Sequence, residues 1–246
     1  MKPWPYPRII AHRGGGALAP ENTLAGLRKA SELGFGGVEF DVMLAGDTTP
    51  IMMHDQRLER TTSGSGAIAA TAYRDMQSLD AGGWFSAQYA GEPVPSLERA
   101  GRLCVELGLW ANVEIKPVTG YEAETGRTAA LLARELWRGA AVQPLLSSFQ
   151  PAALAAARAA APELPRGAIT KSIPQDWASW MHKLGCVSLH CDYRMLLPQQ
   201  VRAVRDAGYW LACWTVNDPE IARVLFDWGV DAVITDRLDL IPPDFS

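Results

Sequence analysis

The chain has 246 residues, of which 48% are hydrophobic and 20% are charged, a composition typical of a globular protein. A chain of this length can bury a large core without disulfide bonds, and it matches the ~250 residues that a (β/α)8 barrel needs. The formal net charge of -4 argues against a nucleic-acid partner and against attraction to a membrane surface, although a local basic pocket can still bind phosphate.

The cysteines and the N-terminal segment bear on the compartment. Cys104, Cys186, Cys191 and Cys213 have neither metal-site nor disulfide-framework spacing, so we interpret them as small buried residues. Residues 1–10 contain three prolines and lack the apolar core of a secretory signal. No apolar stretch reaches the ~20 residues of a membrane-spanning helix. We therefore expect a reduced, cytoplasmic protein without stable membrane insertion.

Short strand patterns alternate with helix patterns along the chain. The predicted strands are 8–11, 37–44, 110–115, 145–149, 167–170, 187–191, 210–216 and 232–235, with 50–53 as a short partner or continuation of the second. The predicted helices are 24–33, 96–107, 122–137, 151–161, 175–184, 198–207 and 219–228, with 238–241 as a vestigial eighth. Ser96 is a predicted N-cap and Gly108 a predicted helix stop.

This alternation favours a closed parallel barrel over an open doubly wound sheet. A Rossmann-type start would place G-x-G-x-x-G after the first strand, whereas this chain has the run His12-Arg13-Gly14-Gly15-Gly16. The polar, glycine-rich segment 56–95 breaks the alternation and is too long for a bare loop. The fold prediction is therefore an α/β TIM barrel over residues 1–246, with a small inserted subdomain after strand 2.

Three carboxylates are placed to meet at the mouth of such a barrel, where the carboxyl ends of the strands supply catalytic residues. Glu39 and Asp41 lie two apart on the second strand and Glu114 lies on the next. Like charges this close need compensation, and oxygen ligands favour Mg²⁺ or Ca²⁺, with Mn²⁺ as a third candidate, over Zn²⁺. We predict one divalent cation here; the alternative is that some of these carboxylates pair with Arg13 or Lys116.

Two histidines end predicted strands beside these carboxylates. Imidazole gives or takes a proton near neutral pH, and phosphodiester cleavage needs one group to activate a nucleophile and another to protonate the leaving oxygen. We predict His12 and His54 as this pair, with Arg13 and Lys116 contacting phosphoryl oxygens. His190 is interpreted as a supporting or packing residue, and His182, on a helix, as solvated.

The motifs occur in a fixed order along the whole chain. They are His12-Arg13-Gly14, Pro20-Glu21-Asn22-Thr23, Val38-Glu39-Phe40-Asp41-Val42, His54-Asp55, Val94-Pro95-Ser96-Leu97-Glu98, Asn112-Val113-Glu114-Ile115-Lys116, Trp214-Thr215-Val216-Asn217 and Ile234-Thr235-Asp236. In this order they resemble the glycerophosphodiester phosphodiesterases. The resemblance implies a TIM barrel with an inserted subdomain, and hydrolysis of glycerophosphodiesters to sn-glycerol 3-phosphate and an alcohol.

The resemblance also implies roles for individual residues. It implies acid/base catalysis by His12 and His54, cation binding by Glu39, Asp41 and Glu114, phosphate binding by Arg13 and Lys116, and a glycerol pocket lined by Trp214. Segment 20–23 is interpreted as structural, with Asn22 or Thr23 capping the first helix.

Several alternatives stay open at this stage. The nucleophile is water or the glycerol 2-hydroxyl, and either histidine can be the acid. The head group, the physiological cation and the oligomeric state are not determined, with a homodimer as one candidate. A phospholipase acting on phosphoinositide or sphingomyelin surfaces is the nearest rival, and exposed Trp84 and Phe85 would favour it. A barrel that only binds a phosphorylated ligand would need to lack a histidine or carboxylate of this set.

Overall fold

The computed structural model describes residues 3–245; Met1, Lys2 and Ser246, which the predicted domain includes, lie outside the described residues. The strands are β1 Ile9–Ala11, β2 Gly37–Leu44, β3 Pro50–Met52, β4 Trp110–Ile115, β5 Leu145–Ser148, β6 Arg166–Thr170, β7 Ser188–Asp192, β8 Trp210–Trp214 and β9 Ala232–Thr235. The α-helices are α1 Leu24–Glu32, α2 Tyr73–Met76, α3 Leu97–Leu107, α4 Glu122–Leu136, α5 Pro151–Ala160, α6 Trp177–Leu184, α7 Pro198–Asp206 and α8 Pro219–Trp228.

All the strands except β3 run parallel and form a closed barrel. They pair in the order β1-β9-β8-β7-β6-β5-β4-β2, and β1 also pairs with β2, so that the ring of eight strands is closed. β3 is antiparallel to the end of β2, with Val42 opposite Met52. The predicted TIM barrel is therefore confirmed, and segment 50–53 contributes a partner strand rather than a continuation of β2.

The helices begin and end where local chemistry predicts. Ser96 accepts a hydrogen bond from the backbone N–H of Arg99 and caps α3, which stops at Gly108 with φ of 67°. Both predictions are confirmed. The predicted vestigial helix at 238–241 is wrong, because this segment forms only a turn closed onto the carbonyl of Arg237. Pro242 follows directly and disfavours a helical conformation in the residue before it.

The barrel interior is apolar at the amino ends of the strands and closed there by aromatic rings. Trp110 and Trp210, the first residues of β4 and β8, pack with Trp4 and Tyr6 from the segment that precedes β1. The Tyr6 and Trp110 rings are stacked with centroids 4.4 Å apart. This end is thereby plugged, and the polar side chains of the interior lie toward the opposite, carboxyl end.

The segment inserted between β3 and α3 has a small core of its own, as predicted. It contains α2 and two short 3-10 helices, Ile68–Ala70 and Ala87–Tyr89. Its buried side chains, which include Ile68, Met76 and Val94, pack on Ile51 of β3. The four cysteines of the chain are also buried, as predicted. None of the helices formed by residues 3–245 combines the length and apolar character needed to cross a bilayer.

Candidate active site

An opening of about 530 Å³, part of it in contact with solvent, lies at the carboxyl end of the barrel. Its lining includes all eight residues that the sequence assigned to the site, which are His12, Arg13, Glu39, Asp41, His54, Glu114, Lys116 and Trp214. The charged residues come from β2 and β4 and from the segments that follow β1, β3 and β4. Phe149, Ile169, His190 and Trp214 line the side formed by β5 to β8. The opening therefore has a charged half and a mainly apolar half.

The parallel register brings the three carboxylates together. Asp41 of β2 lies directly opposite Glu114 of β4, and Glu39 is opposite Asn112. One oxygen from each of Glu39, Asp41 and Glu114 lies within 4.8 Å of the others. Glu39 and Asp41 are each only 2% exposed, so water screens their charges poorly. The cluster is thus a buried concentration of negative charge.

The three carboxylates differ in how far nearby cationic side chains balance their negative charge. Lys116 Nζ lies 3.3 Å from Asp41 Oδ1, and Arg13 Nε lies 3.7 Å from Asp41 Oδ2. Burial disfavours the charge on Asp41, but these cations outweigh it and lower the pKa of that carboxyl. Burial, followed by repulsion from Asp41, raises the pKa of Glu39 to about 7 and that of Glu114 well above its usual value.

This imbalance fits a divalent cation. Among residues 3–245, Oε1 of Glu39 and Oε1 of Glu114 are buried without a hydrogen-bond partner. Unpaired buried acceptors are costly, and a hard cation bound by oxygen ligands relieves both that cost and the mutual repulsion. The alternative interpretation, pairing with Arg13 and Lys116, accounts for Asp41 but leaves Oε1 of Glu39 and Oε1 of Glu114 without a hydrogen-bond donor, although Lys116 Nζ lies 4.0 Å from the latter.

Each of the two histidines is held by a carboxylate through Nδ1. His12 Nδ1 lies 2.6 Å from Asp236 Oδ1, and His54 Nδ1 lies 2.6 Å from Asp55 Oδ1. Because an ionised carboxylate only accepts hydrogen bonds, the proton in each contact belongs to Nδ1. Nε2 is then the nitrogen that can exchange a proton with a substrate.

The surroundings shift the pKa values of the two histidines in opposite directions. Burial lowers the pKa of His12, but the hydrogen bond to Asp236 and the charge of Glu39 outweigh it, and the pKa is raised. Burial is also the largest effect on His54, and with Arg13 and Lys116 nearby its pKa is lowered despite the opposing effect of Asp41. In the metal-free protein this favours a protonated His12 and a neutral His54, the two states that one acid and one base require.

The turn after β1 fixes the position of Arg13. Arg13 has φ of 52°, and its backbone N–H donates to Glu39 Oε2 at 3.0 Å. A Cβ at Gly16 in this turn would lie 2.4 Å from the carbonyl oxygen of Asp236, so only glycine allows this close approach. The Arg13 guanidinium donates to Glu21 Oε1 at 2.7 Å. Arg13 is therefore oriented from both its backbone and its side chain.

The apolar half of the opening contains an aromatic pair. Phe149 and Trp214 meet edge to face with ring centroids 5.6 Å apart, although β5 and β8 are not neighbours in the barrel. His190 lies on the same side, 1% exposed, with Nε2 2.9 Å from Ser188 Oγ. Burial lowers the pKa of His190 to about 4, so it is neutral at physiological pH. This agrees with a supporting role for His190, and His182 is exposed on α6 as predicted.

Sequence reasoning assigned no role at the site to Asp236, Asn22 or Arg60, although Asn22 was one of the two candidates for the cap of the first helix. Asp236 follows β9 as His12 follows β1, and this shared position at adjacent strand ends was the available signal. Thr23 caps α1, whereas the buried Asn22 binds Asp41, donating to Oδ2 at 2.8 Å and accepting from the backbone N–H at 3.0 Å. Arg60, in the inserted segment, contacts Glu21 and Asp55, and no local pattern indicates those contacts.

Comparison with known proteins agrees with this geometry. Residues 12–240 match the Glycerophosphoryl diester phosphodiesterase family. A glycerophosphodiester phosphodiesterase of Caldanaerobacter subterraneus subsp. tengcongensis is 31% identical, with 93% of each chain covered. One from Bacillus subtilis is 30% identical over 94% of this chain and 84% of the relative. The crystallised Oleispira antarctica phosphodiesterase in complex with the product sn-glycerol-3-phosphate is 38% identical, with a TM-score of 0.89 and coverage of 94% of this chain and 93% of that chain. With its barrel, its site and these relatives, the chain belongs to the glycerophosphoryl diester phosphodiesterase family.

Proposed function

We propose that this glycerophosphodiester phosphodiesterase hydrolyses its substrate to sn-glycerol 3-phosphate and an alcohol, with His12 and His54 as the acid/base pair beside one divalent cation. The observation that carries the proposal is that two histidine–aspartate pairs and a three-carboxylate cluster line one opening. The Oleispira antarctica relative, whose structure contains the product sn-glycerol-3-phosphate, supports the product.

Glu39, Asp41 and Glu114 are the residues that would hold the cation. Their all-oxygen character favours Mg²⁺ or Ca²⁺, with Mn²⁺ as a third candidate. A cation bound there supplies positive charge against the negative charge that grows on the phosphoryl oxygens. The two unpartnered carboxylate oxygens support this assignment more directly than the mere presence of acidic residues.

Arg13 and Lys116 bind and orient the phosphate from the same side. Both side chains line the opening, and both lie within 4.0 Å of Asp41. The guanidinium offers a planar fork of N–H donors, and the ammonium offers a compact charge. Trp214 and Phe149 form the other wall of the opening. We therefore place the glycerol moiety in the apolar half.

The histidines divide the proton transfers. His54, neutral at physiological pH, takes a proton through Nε2 from the attacking oxygen, which belongs to water or to the glycerol 2-hydroxyl. That oxygen bonds to phosphorus as the bond from phosphorus to the leaving alcohol oxygen breaks. If the attacking oxygen is the glycerol 2-hydroxyl, this step gives a cyclic phosphate, and a water molecule then opens the ring to give sn-glycerol 3-phosphate. His12, held protonated by Asp236, donates its Nε2 proton to the leaving oxygen. The opposite pKa shifts of the two imidazoles support this division.

The test is chelator-sensitive release of glycerol 3-phosphate from glycerophosphocholine. We expect His12→Ala and His54→Ala each to lower kcat by about 10²-fold or more while the fold is retained. His182→Ala, which removes an exposed histidine on α6, is the matched control and should behave like the wild type. Near wild-type turnover in either site variant contradicts the two-histidine scheme. Faster cleavage of phosphatidylinositol or sphingomyelin in vesicles would instead favour a lipid-surface phospholipase.

A further inference from the structure

Arg60, which lies in a turn of the inserted segment, binds two carboxylates at once. Its Nη1 and Nη2 donate to the two oxygens of Glu21, each at 2.8 Å. Its Nε and Nη2 donate to the two oxygens of Asp55, at 2.5 Å and 3.0 Å. Both contacts use the planar fork of the guanidinium against a whole carboxylate group, the geometry that fixes the orientation of both partners most strictly.

Each of these carboxylates also holds a residue of the proposed site. Glu21 Oε1 accepts from Arg13 Nη1 at 2.7 Å. Asp55 Oδ1 accepts from His54 Nδ1 at 2.6 Å. Arg60 therefore stands at the middle of a continuous chain that runs from the phosphate-binding Arg13 to the proton-transferring His54. Every link between the side chains of Arg13 and His54 along this path, through Glu21, Arg60 and Asp55, is a hydrogen bond.

The charges along this series of hydrogen bonds explain why a positively charged side chain, that of Arg60, is needed between the two carboxylates. The hydrogen bond from Arg60 is the largest effect lowering the pKa of Asp55, and the same donor helps to lower the pKa of Glu21 against its burial. With Arg60 present, two carboxylates are matched by two guanidinium groups. Without it, Glu21 would keep only Arg13 and Asp55 only His54 as partners, and the two carboxylates would add net negative charge near an anionic substrate.

Arg60 contributes less to the stability of the fold than its number of contacts indicates. Its side chain is 44% exposed, and that of Asp55 is 30% exposed. Exposed ion pairs are screened by water and add little to folding stability, although bidentate pairs in a network, here with the 14% exposed Glu21, add more than an isolated pair. The contacts of Arg60 connect the inserted segment to Glu21 and Asp55, the two carboxylates that hold Arg13 and His54.

We propose that Arg60 is a positioning residue that sets the orientations of Arg13 and His54 together, through Glu21 and Asp55. The inference rests on the proposed roles of Arg13 and His54. It predicts effects on both substrate binding and turnover from a residue that touches neither the phosphate nor the reacting atoms. A residue that only tethers the inserted segment to the barrel would not divide its effect in this way.

The test compares Arg60→Ala and Arg60→Lys with Arg57→Ala. Arg57 lies three positions away, pairs with Glu59 and is 66% exposed, so it is a matched control within the same segment. With glycerophosphocholine and saturating cation, we expect Arg60→Ala to lower kcat/KM by about 10- to 100-fold, through a higher KM and a lower kcat. Arg60→Lys should recover part of the loss, because an ammonium keeps the charge but not the fork. Melting temperatures of all three should stay close to that of the wild type.

Coupling to the carboxylates provides the second measurement. If Arg60 acts through Asp55 and Glu21, adding Asp55→Asn or Glu21→Gln to Arg60→Ala should cost less than the product of the separate losses. Multiplicative losses, or a kcat/KM for Arg60→Ala equal to that of Arg57→Ala, overturn the inference. If His54→Ala is inactive while Arg60→Ala is unimpaired, only this inference fails. If His54→Ala is active, the proposed function itself fails.

Discussion

Replacing Asp236 by Asn removes the charge that holds His12 while keeping the shape of the side chain. In the wild type, Oδ1 of Asp236 faces His12 Nδ1 at 2.6 Å, and Oδ2 accepts from Asn217 Nδ2 at 2.9 Å. An amide has only one acceptor oxygen, so it cannot accept from both neighbours. If the new amide oxygen faces His12, the NH₂ group of the same amide faces the Nδ2 donor of Asn217, and two donors meet. If the amide is turned the other way, its NH₂ group faces Nδ1 of His12, which must then lose its proton and adopt the other tautomer.

The size of the effect follows from the bond that is lost. A hydrogen bond to a charged group contributes about 1.5–3 kcal/mol, which corresponds to roughly 10- to 150-fold in kcat if it is needed in the transition state. Asp236 also raises the pKa of His12, so its loss lowers that pKa. If His12 acts as the acid, as proposed, activity falls as pH rises through its pKa. The alkaline limb of the pH profile should therefore move to lower pH in Asp236→Asn.

The assay is kcat for glycerophosphocholine from about pH 5 to about pH 9 with saturating cation. Asp239→Asn is the matched control, because Asp239 lies on the same C-terminal turn but pairs with Arg237 at the surface. The control should retain both the rate and the profile of the wild type. A kcat within about twofold of the wild type and an unmoved alkaline limb in Asp236→Asn would refute the reasoning.

Two further predictions concern stability. Burial and Asp41 raise the pKa of Glu39 from 4.5 to about 7, so the metal-free fold retains a proton that the unfolded chain has lost, and its stability falls as pH rises between these values. Glu39→Gln should therefore raise the melting temperature of the chelator-treated protein more at about pH 8 than at about pH 5. The same variant should no longer be stabilised by added Ca²⁺ or Mg²⁺. An equal rise in melting temperature at both pH values would contradict the raised pKa of Glu39. In Gly126→Ala, the new Cβ would lie 2.2 Å from the Ala153 carbonyl oxygen, where α4 packs on α5. We expect this change to lower the free energy of unfolding by about 1–3 kcal/mol, which appears as a lower melting temperature with unchanged kcat per folded molecule. An unaltered melting temperature would show that the two helices can move apart without cost.

The sequence predicts the barrel well because the apolar patterns of strands and of helices are both local features of the sequence. Strands such as Gly37–Leu44 and helices such as Leu97–Leu107 carry their own apolar patterns and end signals. The placement of Glu39, Asp41 and Glu114 follows from strand alternation and parallel pairing alone. Fold and carboxylate cluster are thus accessible from local patterns combined with the general rule that successive parallel strands of a barrel lie side by side.

What the sequence could not predict depends on contacts between distant segments. Asp236 meets His12 only because barrel closure pairs the last strand with the first. Arg60 reaches Glu21 because of how the inserted segment folds, and that segment has little periodic pattern. The failed helix at 238–241 has a different cause, since a short apolar pattern next to Pro242 cannot supply the hydrogen bonds that a helix needs.

The proposed acid/base asymmetry depends on the neighbours of the two histidines. Both imidazoles have the same contact, Nδ1 to a carboxylate at 2.6 Å. The carboxylate of His54, Asp55, shares its charge with Arg60, whereas that of His12, Asp236, is met by the uncharged amide of Asn217. Beyond burial, which lowers both pKa values, the charges around each imidazole differ as well, because Glu39 raises the pKa of His12, whereas Arg13 and Lys116 lower that of His54 against the effect of Asp41. The proposed division of roles therefore depends on Glu39 beside His12 and on Arg13 and Lys116 near His54.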